Sequence, residues 1–261
     1  MRDIFKQIKG KKILVVGDVM VDKYVYGQIN RISPEAPVPI FEIKSARYEL
    51  GGAANVARNV ASLGGVPILI GSWNASDVSG TMLLDILDKH GYESHACAFD
   101  PARPTTTKTR YFVGKQCLFR TDDEIRTTFD WTTRLKDLLR NRLYEQDIDG
   151  VIVSDYDKGV VNRPILEILK TLKVPMIGDP KHLNFWNYLD FDCITPNQSE
   201  VERATGTVNL TEQVETVFDV LHLKYLLITA GSRGIYAGKR GNTHHYPAHD
   251  VEVIDVSGAG D

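Results

Sequence analysis

The sequence predicts a three-layer α/β/α fold with a mostly parallel central sheet and a small β lid. Three observations carry that expectation. Short apolar runs without alternation recur along the chain, as in strands buried on both faces of a parallel sheet. Segments of helical period lie between them. The runs lead into small or polar residues, the pattern of a sheet whose ligands gather beyond its carboxyl edge.

Taken in order, Ile13 to Val16 predicts the first strand, ending in Gly17 and Asp18. Residues near Tyr24 to Ile43 alternate and predict short β segments outside the main sheet. Ala53, Val56, Ala57, Val60 and Ala61 form the stripe of a helix closed by Gly64. Met82, Leu83, Ile86 and Leu87 form another, closed by Gly91. Thr105 to Arg120 alternates again, with a hairpin expected at Gly114-Lys115. Leu135, Leu138, Leu139 and Arg142 share a helical face. Val151 to Val153, ending in Ser154-Asp155, is the next buried strand. The stripe Ile165, Ile168, Leu169 and Leu172 follows, then a strand at Pro175 to Ile177 leading to Gly178-Asp179. Asp192 to Ile194 leads to Thr195-Pro196-Asn197. A helix carrying Val214, Val217, Phe218 and Leu221 is expected behind a Thr211 cap, before a strand from Tyr225 to Ile228.

This reads as one domain over 1–261, with lid segments at approximately 21–49 and 103–122 inserted in it. A plain edge extension of the main sheet is the alternative for those segments. Asp18, Asp155, Asp179, Asn197 and Thr229 would converge at one sheet edge.

Of the 261 residues, 43% are apolar and 25% charged, which suits an ordinary globular protein. A net charge of −3 leaves no electrostatic footprint for nucleic acid or a membrane surface. No apolar run approaches bilayer length and the first residues lack the core of a signal peptide, so a cytoplasmic location is expected. Cys97, Cys117 and Cys193 are few, scattered and odd in number, which suits reduced thiols.

Five motifs carry chemistry. At the end of the chain, Gly258, Ala259 and Gly260 bare backbone N–H groups able to cradle a phosphoryl group, and Asp261 follows as a proton acceptor. Gly51 and Gly52 precede a helix with Asn55 in its first turn, allowing close approach to a ligand or simply tight packing. Asp18 and Asp22, after the first strand, suit sugar hydroxyls, or a helix cap and a solvated charge. Asn197 and Glu200 suit the water shell of Mg²⁺ or, equally, a capping box. Thr229, Gly231 and Gly234 suit a nucleotide phosphate tail or an ordinary turn into a hairpin.

In their order and spacing these motifs resemble the ribokinase-like (PfkB) sugar kinase family, from Ile13 to the last residue. The run Arg31-Ile-Ser-Pro-Glu-Ala-Pro-Val-Pro39 with Gly17 to Tyr24, Ser154 to Gly159 and Asp179-Pro180-Lys181 is similar to the heptose 7-phosphate kinases of ADP-heptose synthesis. The resemblance implies phosphorylation of D-glycero-β-D-manno-heptose 7-phosphate at O1 by ATP, feeding lipopolysaccharide core assembly. It implies Asp261 as base, with Gly258, Ala259 and Gly260 as the anion hole. It implies Asn197 and Glu200 near Mg²⁺, Asp255 and Ser257 near a monovalent cation such as K⁺, and Thr229, Gly231 and Gly234 at ATP. Asp18, Asp22, Gly51, Gly52 and Asn55 would bind sugar hydroxyls, with Asp155 beside them. Lys108, Arg110, Arg120, Lys158 and Lys181 are candidates for the remote phosphate.

Family members continue past the final motif with a helix that completes the anion hole. A chain ending at Asp261 would leave the core beneath that helix open, and instability without turnover is expected of it. A homodimer through the lid is expected by analogy. The rival readings are a kinase for another sugar phosphate or nucleoside, and a binding protein without turnover. No P-loop string and no Gly-x-Gly-x-x-Gly after the first strand occurs.

Overall fold

The computed structural model describes residues 6–96, 103–128, 130–141 and 147–249. Among them a nine-stranded sheet runs in the order β13-β12-β11-β10-β9-β8-β1-β4-β5, and a separate four-stranded sheet runs β3-β2-β6-β7. The main sheet comprises β1 (Lys12–Gly17), β4 (Val66–Gly71), β5 (Glu93–Ala96), β8 (Gly150–Ser154), β9 (Met176–Asp179), β10 (Cys193–Ile194), β11 (Tyr225–Thr229), β12 (Ile235–Lys239) and β13 (Asn242–Tyr246). From β11 to β5 every neighbouring pair is parallel; β12 and β13 close the far edge as an antiparallel hairpin.

Helices cover both faces. On one, α3 (Thr132–Asn141), α4 (Arg163–Lys170), α5 (Gln198–Thr205) and α6 (Leu210–Leu221) bury Leu135, Ile165, Val201 and Val217 against Leu14, Val16, Val151, Val153 and Ile194. On the other, α1 (Ala53–Ser62) and α2 (Val78–His90) bury Ala53, Ala57, Leu83 and Leu87 against Val15 and Leu69. That second layer stops near β8. Beyond it Ile177 and Tyr225 stand 40% and 44% exposed, and among the described residues no helix covers β9 to β11 on this face.

Two expectations need correction. The sequence reading assigned no strand to Val66–Gly71, yet β4 is a central strand, between β1 and β5. Pro67 sits second in it, opposite Ile13, where a missing N–H disturbs only the strand's start. The cap of α6 is Asn209, whose side chain accepts from the N–H groups of Thr211 and Glu212; Thr211 is already inside the helix. Arg142, expected on the face of α3, lies outside the described residues.

The second sheet is built from β2 (Val19–Ile32), β3 (Pro39–Gly52), β6 (Thr107–Val113) and β7 (Gln116–Asp123). It grows directly from the site edge, because β2 begins one residue after Asp18 and β3 ends on Gly52, the N-cap of α1. Gly52 has φ 54°, and a Cβ there would lie 2.4 Å from the Asp18 carbonyl oxygen, so glycine is required at this junction.

Candidate active site

Parallel register brings the strand ends together. Gly17, Ser154 and Asp179 lie in one row across β1, β8 and β9, and a parallel bridge links Asn197, past β10, to Thr229 at the end of β11. Strand order reverses at β1, which has β4 on one side and β8 on the other, so the crevice opens there.

Asp18 and Asp155 sit at the floor of this edge, and neither reaches solvent. Asp18 is 1% exposed, and its carboxylate accepts from the N–H groups of Tyr156 (2.7 Å), Lys158 (3.1 Å) and Val160 (3.1 Å). Asp18 thereby shapes the loop after β8. Burial raises its carboxyl, against the pull of those three donors and of Arg103. Asp155 is fully buried and accepts from Asp157 N–H and from the Asn184 side chain. Burial and the neighbouring Asp18 push its pKa up to about 7.

A raised folded-state pKa favours the fold at low pH and loses that contribution as pH rises through the folded value. For Asp155 the window runs from the ordinary carboxylate value of 3.8 to about 7. Asp155→Asn, which carries no proton to lose, is therefore expected to gain stability relative to the parent by about 2–4 kcal/mol between pH 4 and pH 8. Urea unfolding of both proteins at the two pH values measures this; a difference independent of pH would refute it.

The sugar-side candidates do converge. Asp22, Tyr24, Arg47, Glu49, Leu50, Asn55 and Arg58 line a polar cavity of about 170 Å³ between the second sheet and α1. Gly51 faces it closely, since a Cβ there would lie 2.7 Å from Asp22 Oδ2. Asp22 is paired with Arg110, and the Asn55 side-chain oxygen accepts from Arg58. Arg110 and Arg47 both stack over the Tyr24 ring.

The phosphate candidates separate. Lys158 is buried, with Nζ 2.7 Å from Glu124. Lys108 Nζ lies 3.3 Å from Asp122 and 3.6 Å from Glu124. Arg120 pairs with Asp122 and is half exposed. Lys181 lies apart from them, 2.6 Å from Glu200 and 3.6 Å from Asp179, with its ammonium over the Tyr156 ring. Sequence reading missed Glu124, Arg47 and Arg58. Glu124 stands in the charged run Asp122-Asp123-Glu124, which reads as a solvated stretch.

On the nucleotide side, Asn197 and Glu200 form the capping box that was the plainer reading of their spacing. Asn197 Oδ1 accepts from Glu200 N–H at 3.0 Å and Glu200 Oε2 accepts from Asn197 N–H at 2.8 Å. The box does not exhaust the donor set. The carboxylates of Asp179 and Glu200 converge on one ammonium, a setting whose chemistry suits a hydrated divalent cation. A cavity of about 270 Å³ runs from Ser154, Asp179, Thr195 and Thr229 onto the uncovered apolar face at Val56, Ile152, Ile177 and Leu227. Gly231 (φ 57°) and Gly234 (φ 95°) turn the chain after β11, and a Cβ at Gly234 would meet the Tyr246 carbonyl oxygen at 2.1 Å. Asp255, Ser257, Gly258, Ala259, Gly260 and Asp261 lie outside the described residues.

Among the described residues no helix is long and apolar enough to cross a membrane. The profile of the pfkB family carbohydrate kinases matches residues 10–261. The bifunctional protein HldE of Caulobacter vibrioides is 39% identical over 97% of this chain, and that of Helicobacter pylori (strain J99) 36% over 96%. The chain spans 54% and 56% of those two proteins, about half of each. Phosphofructokinase-2 from Escherichia coli, solved with substrates and products, has the same fold: TM-score 0.73 at 16% identity, over 96% of this chain and 82% of that one. Profile and relatives agree with the strand-edge geometry, and the chain belongs to the pfkB family of carbohydrate kinases.

Proposed function

We propose that this chain transfers the γ-phosphoryl group of ATP to O1 of D-glycero-β-D-manno-heptose 7-phosphate, giving the 1,7-bisphosphate for ADP-heptose and lipopolysaccharide core synthesis. The observation that carries the reading is a pair of unlike cavities, one lined by Asn55 and the other by Val56 of α1. A small polar cavity around Asp22 and Asn55 suits sugar hydroxyls, and a cavity with an apolar wall past Thr229 suits a nucleotide. The similarity to HldE proteins and the Arg31 to Pro39 run favour a heptose phosphate over other sugars.

ATP and a divalent cation such as Mg²⁺ are the co-substrate and metal of this family. Asn197, Glu200 and Asp179 would hold the cation through water, and it would supply charge neutralisation on the polyphosphate. Asp261 would take the proton of the attacking hydroxyl, and the N–H groups of Gly258, Ala259 and Gly260 would receive the transferring group. Asp255 and Ser257 would hold K⁺. Thr229, Gly231 and Gly234 would line the phosphate tail. Asp22, Gly51, Gly52 and Asn55 would orient the sugar, and Lys108 with Arg120 would face its remote phosphate from the second sheet, which acts as a lid against water. The reaction belongs to the cytoplasm.

A coupled ADP-release assay on the full-length protein tests the substrate. The heptose 7-phosphate is expected to be preferred over fructose 6-phosphate and ribose by at least about 100-fold in kcat/KM, because a site built around a phosphate and hydroxyls leaves buried polar groups unpaired with the wrong sugar. Equal rates with all three would reject the heptose. Dimerisation through the lid is part of the same proposal. Ile32, Ile43 and Phe119, on the second sheet, are 60%, 63% and 50% exposed, and a monomer by sedimentation would reject it.

A further inference from the structure

The segment leaving the second sheet is fastened to the loop after β8 by four separate contacts. Glu124, one residue past β7, meets Lys158 Nζ at 2.7 Å, with both side chains under 10% exposed. Arg103, buried just before β6, forks onto the carbonyl oxygens of Thr127 and Ile125 at 3.1 Å each, and onto that of Lys158. Gly159 has φ 94°, and a Cβ there would fall 2.1 Å from the Thr127 carbonyl oxygen, so the two backbones touch. Buried Trp131 donates its indole N–H to the Val160 carbonyl at 2.8 Å.

The loop itself hangs from Asp18 through three N–H groups. A continuous path therefore runs from the end of β1, through residues 156–160, to the chain entering β6 and the chain leaving β7. Glu124 also gathers Lys108, which projects from β6. Opposed to burial, the ammonium of Lys158 and the charges of Arg126 and Lys108 bring the Glu124 carboxyl down to about 2, so it stays ionised across the working range.

We infer that Arg103 and Glu124 are positioning residues, a latch that sets the second sheet and Lys108 over the sugar cavity without either residue touching substrate. The inference rests on the sugar-kinase reading of that cavity. The latch keeps a charged group buried only while its partner is present, so cutting one side frees the sheet more than cutting both.

Hydrogen exchange of the substrate-free, full-length protein tests the latch directly. In Glu124→Gln, amides of β6 and β7 are expected to exchange ~10-fold faster or more, the scale of one broken buried ion pair, with β8 and β11 unchanged. Adding Lys158→Met to that variant is expected to restore much of the protection. In turnover, Glu124→Gln is expected to raise KM for the sugar phosphate ~10-fold while KM for ATP holds. Arg103→Lys gives the same readout through the other contact if Glu124→Gln does not fold. A merely structural role would speed exchange throughout the main sheet and shift both KM values alike, and that result overturns the latch. So does unchanged exchange in β6 and β7, or strictly additive loss in the double variant. Exchange is read without sugar or ATP, so a parent protein that phosphorylates no sugar would sink the kinase reading while the latch is still decided.

Discussion

Asp261→Asn is expected to lower kcat by about 10³-fold with little change in KM for either substrate, the range seen when a positioned general base is removed. Asparagine keeps the shape and can still accept a hydrogen bond from the sugar hydroxyl, so binding survives. It cannot carry away the proton as the oxygen attacks phosphorus. On the proposed mechanism the anion hole and the metal would remain, and in phosphoryl transfer such groups supply most of the acceleration, so residual turnover above background is expected. The acid limb of the kcat–pH profile, set by a carboxylate in the parent, should disappear in the variant. Stopped-assay kinetics on the full-length protein decide the matter. A kcat within about tenfold of the parent would remove Asp261 from the role of base.

Asp18→Ala carries the largest expected loss of stability. The carboxylate receives three backbone N–H groups from residues 156–160 while 1% exposed, and its own backbone joins Ser154 to Ala53. Removing the acceptor leaves those donors buried without partners, at a cost of about 1–3 kcal/mol each when no water replaces it. Entry of water into the vacated space offsets part of this, so a net loss of about 3–5 kcal/mol is expected. That is a large share of the roughly 5–15 kcal/mol that holds a typical domain folded. Asp18→Asn should also destabilise, because its amide would turn a donor towards donors. Urea unfolding followed by circular dichroism measures both; losses under about 1 kcal/mol would show that the loop after β8 is held by something else.

Much of the fold is legible in local pattern. Uninterrupted apolar runs mark β1 and β8, which are buried on both faces and have no polar side to show, and they mark β9 and β11 as well, although one face of these stands partly exposed. Stripes mark α1, α2, α4 and α6 because each buries one face in a three-layer stack. Pattern fails at Val66–Gly71, where Pro67 reads as a break although it occupies a place in β4 that tolerates a missing donor. It also fails at the cap of α6, where Asn209 and Thr211 are both good cap residues and only backbone conformation separates them.

The candidate site divides the same way. Asp22, Gly51 and Asn55 are visible as motifs and meet at one cavity, while Gly52 packs against the Asp18 carbonyl and Met20. Asp18, Asp155 and Lys158 are visible as polar residues beyond strand ends, yet the structure turns all three inward. Glu124 and Arg103 carry no signal at all, since a carboxylate or guanidinium in a polar stretch looks the same whether it meets water or a buried partner.

Sequence alone determined the layers of this protein, the edge where its polar groups meet and the family to which it belongs. All three follow from periodicity and from motif order along the chain. Only the tertiary structure decided which of those polar groups face the crevice and which hold it together. Burial and charge pairing join residues remote in the chain, such as Asp18 with Lys158 and Lys158 with Glu124, and no local spacing encodes who meets whom.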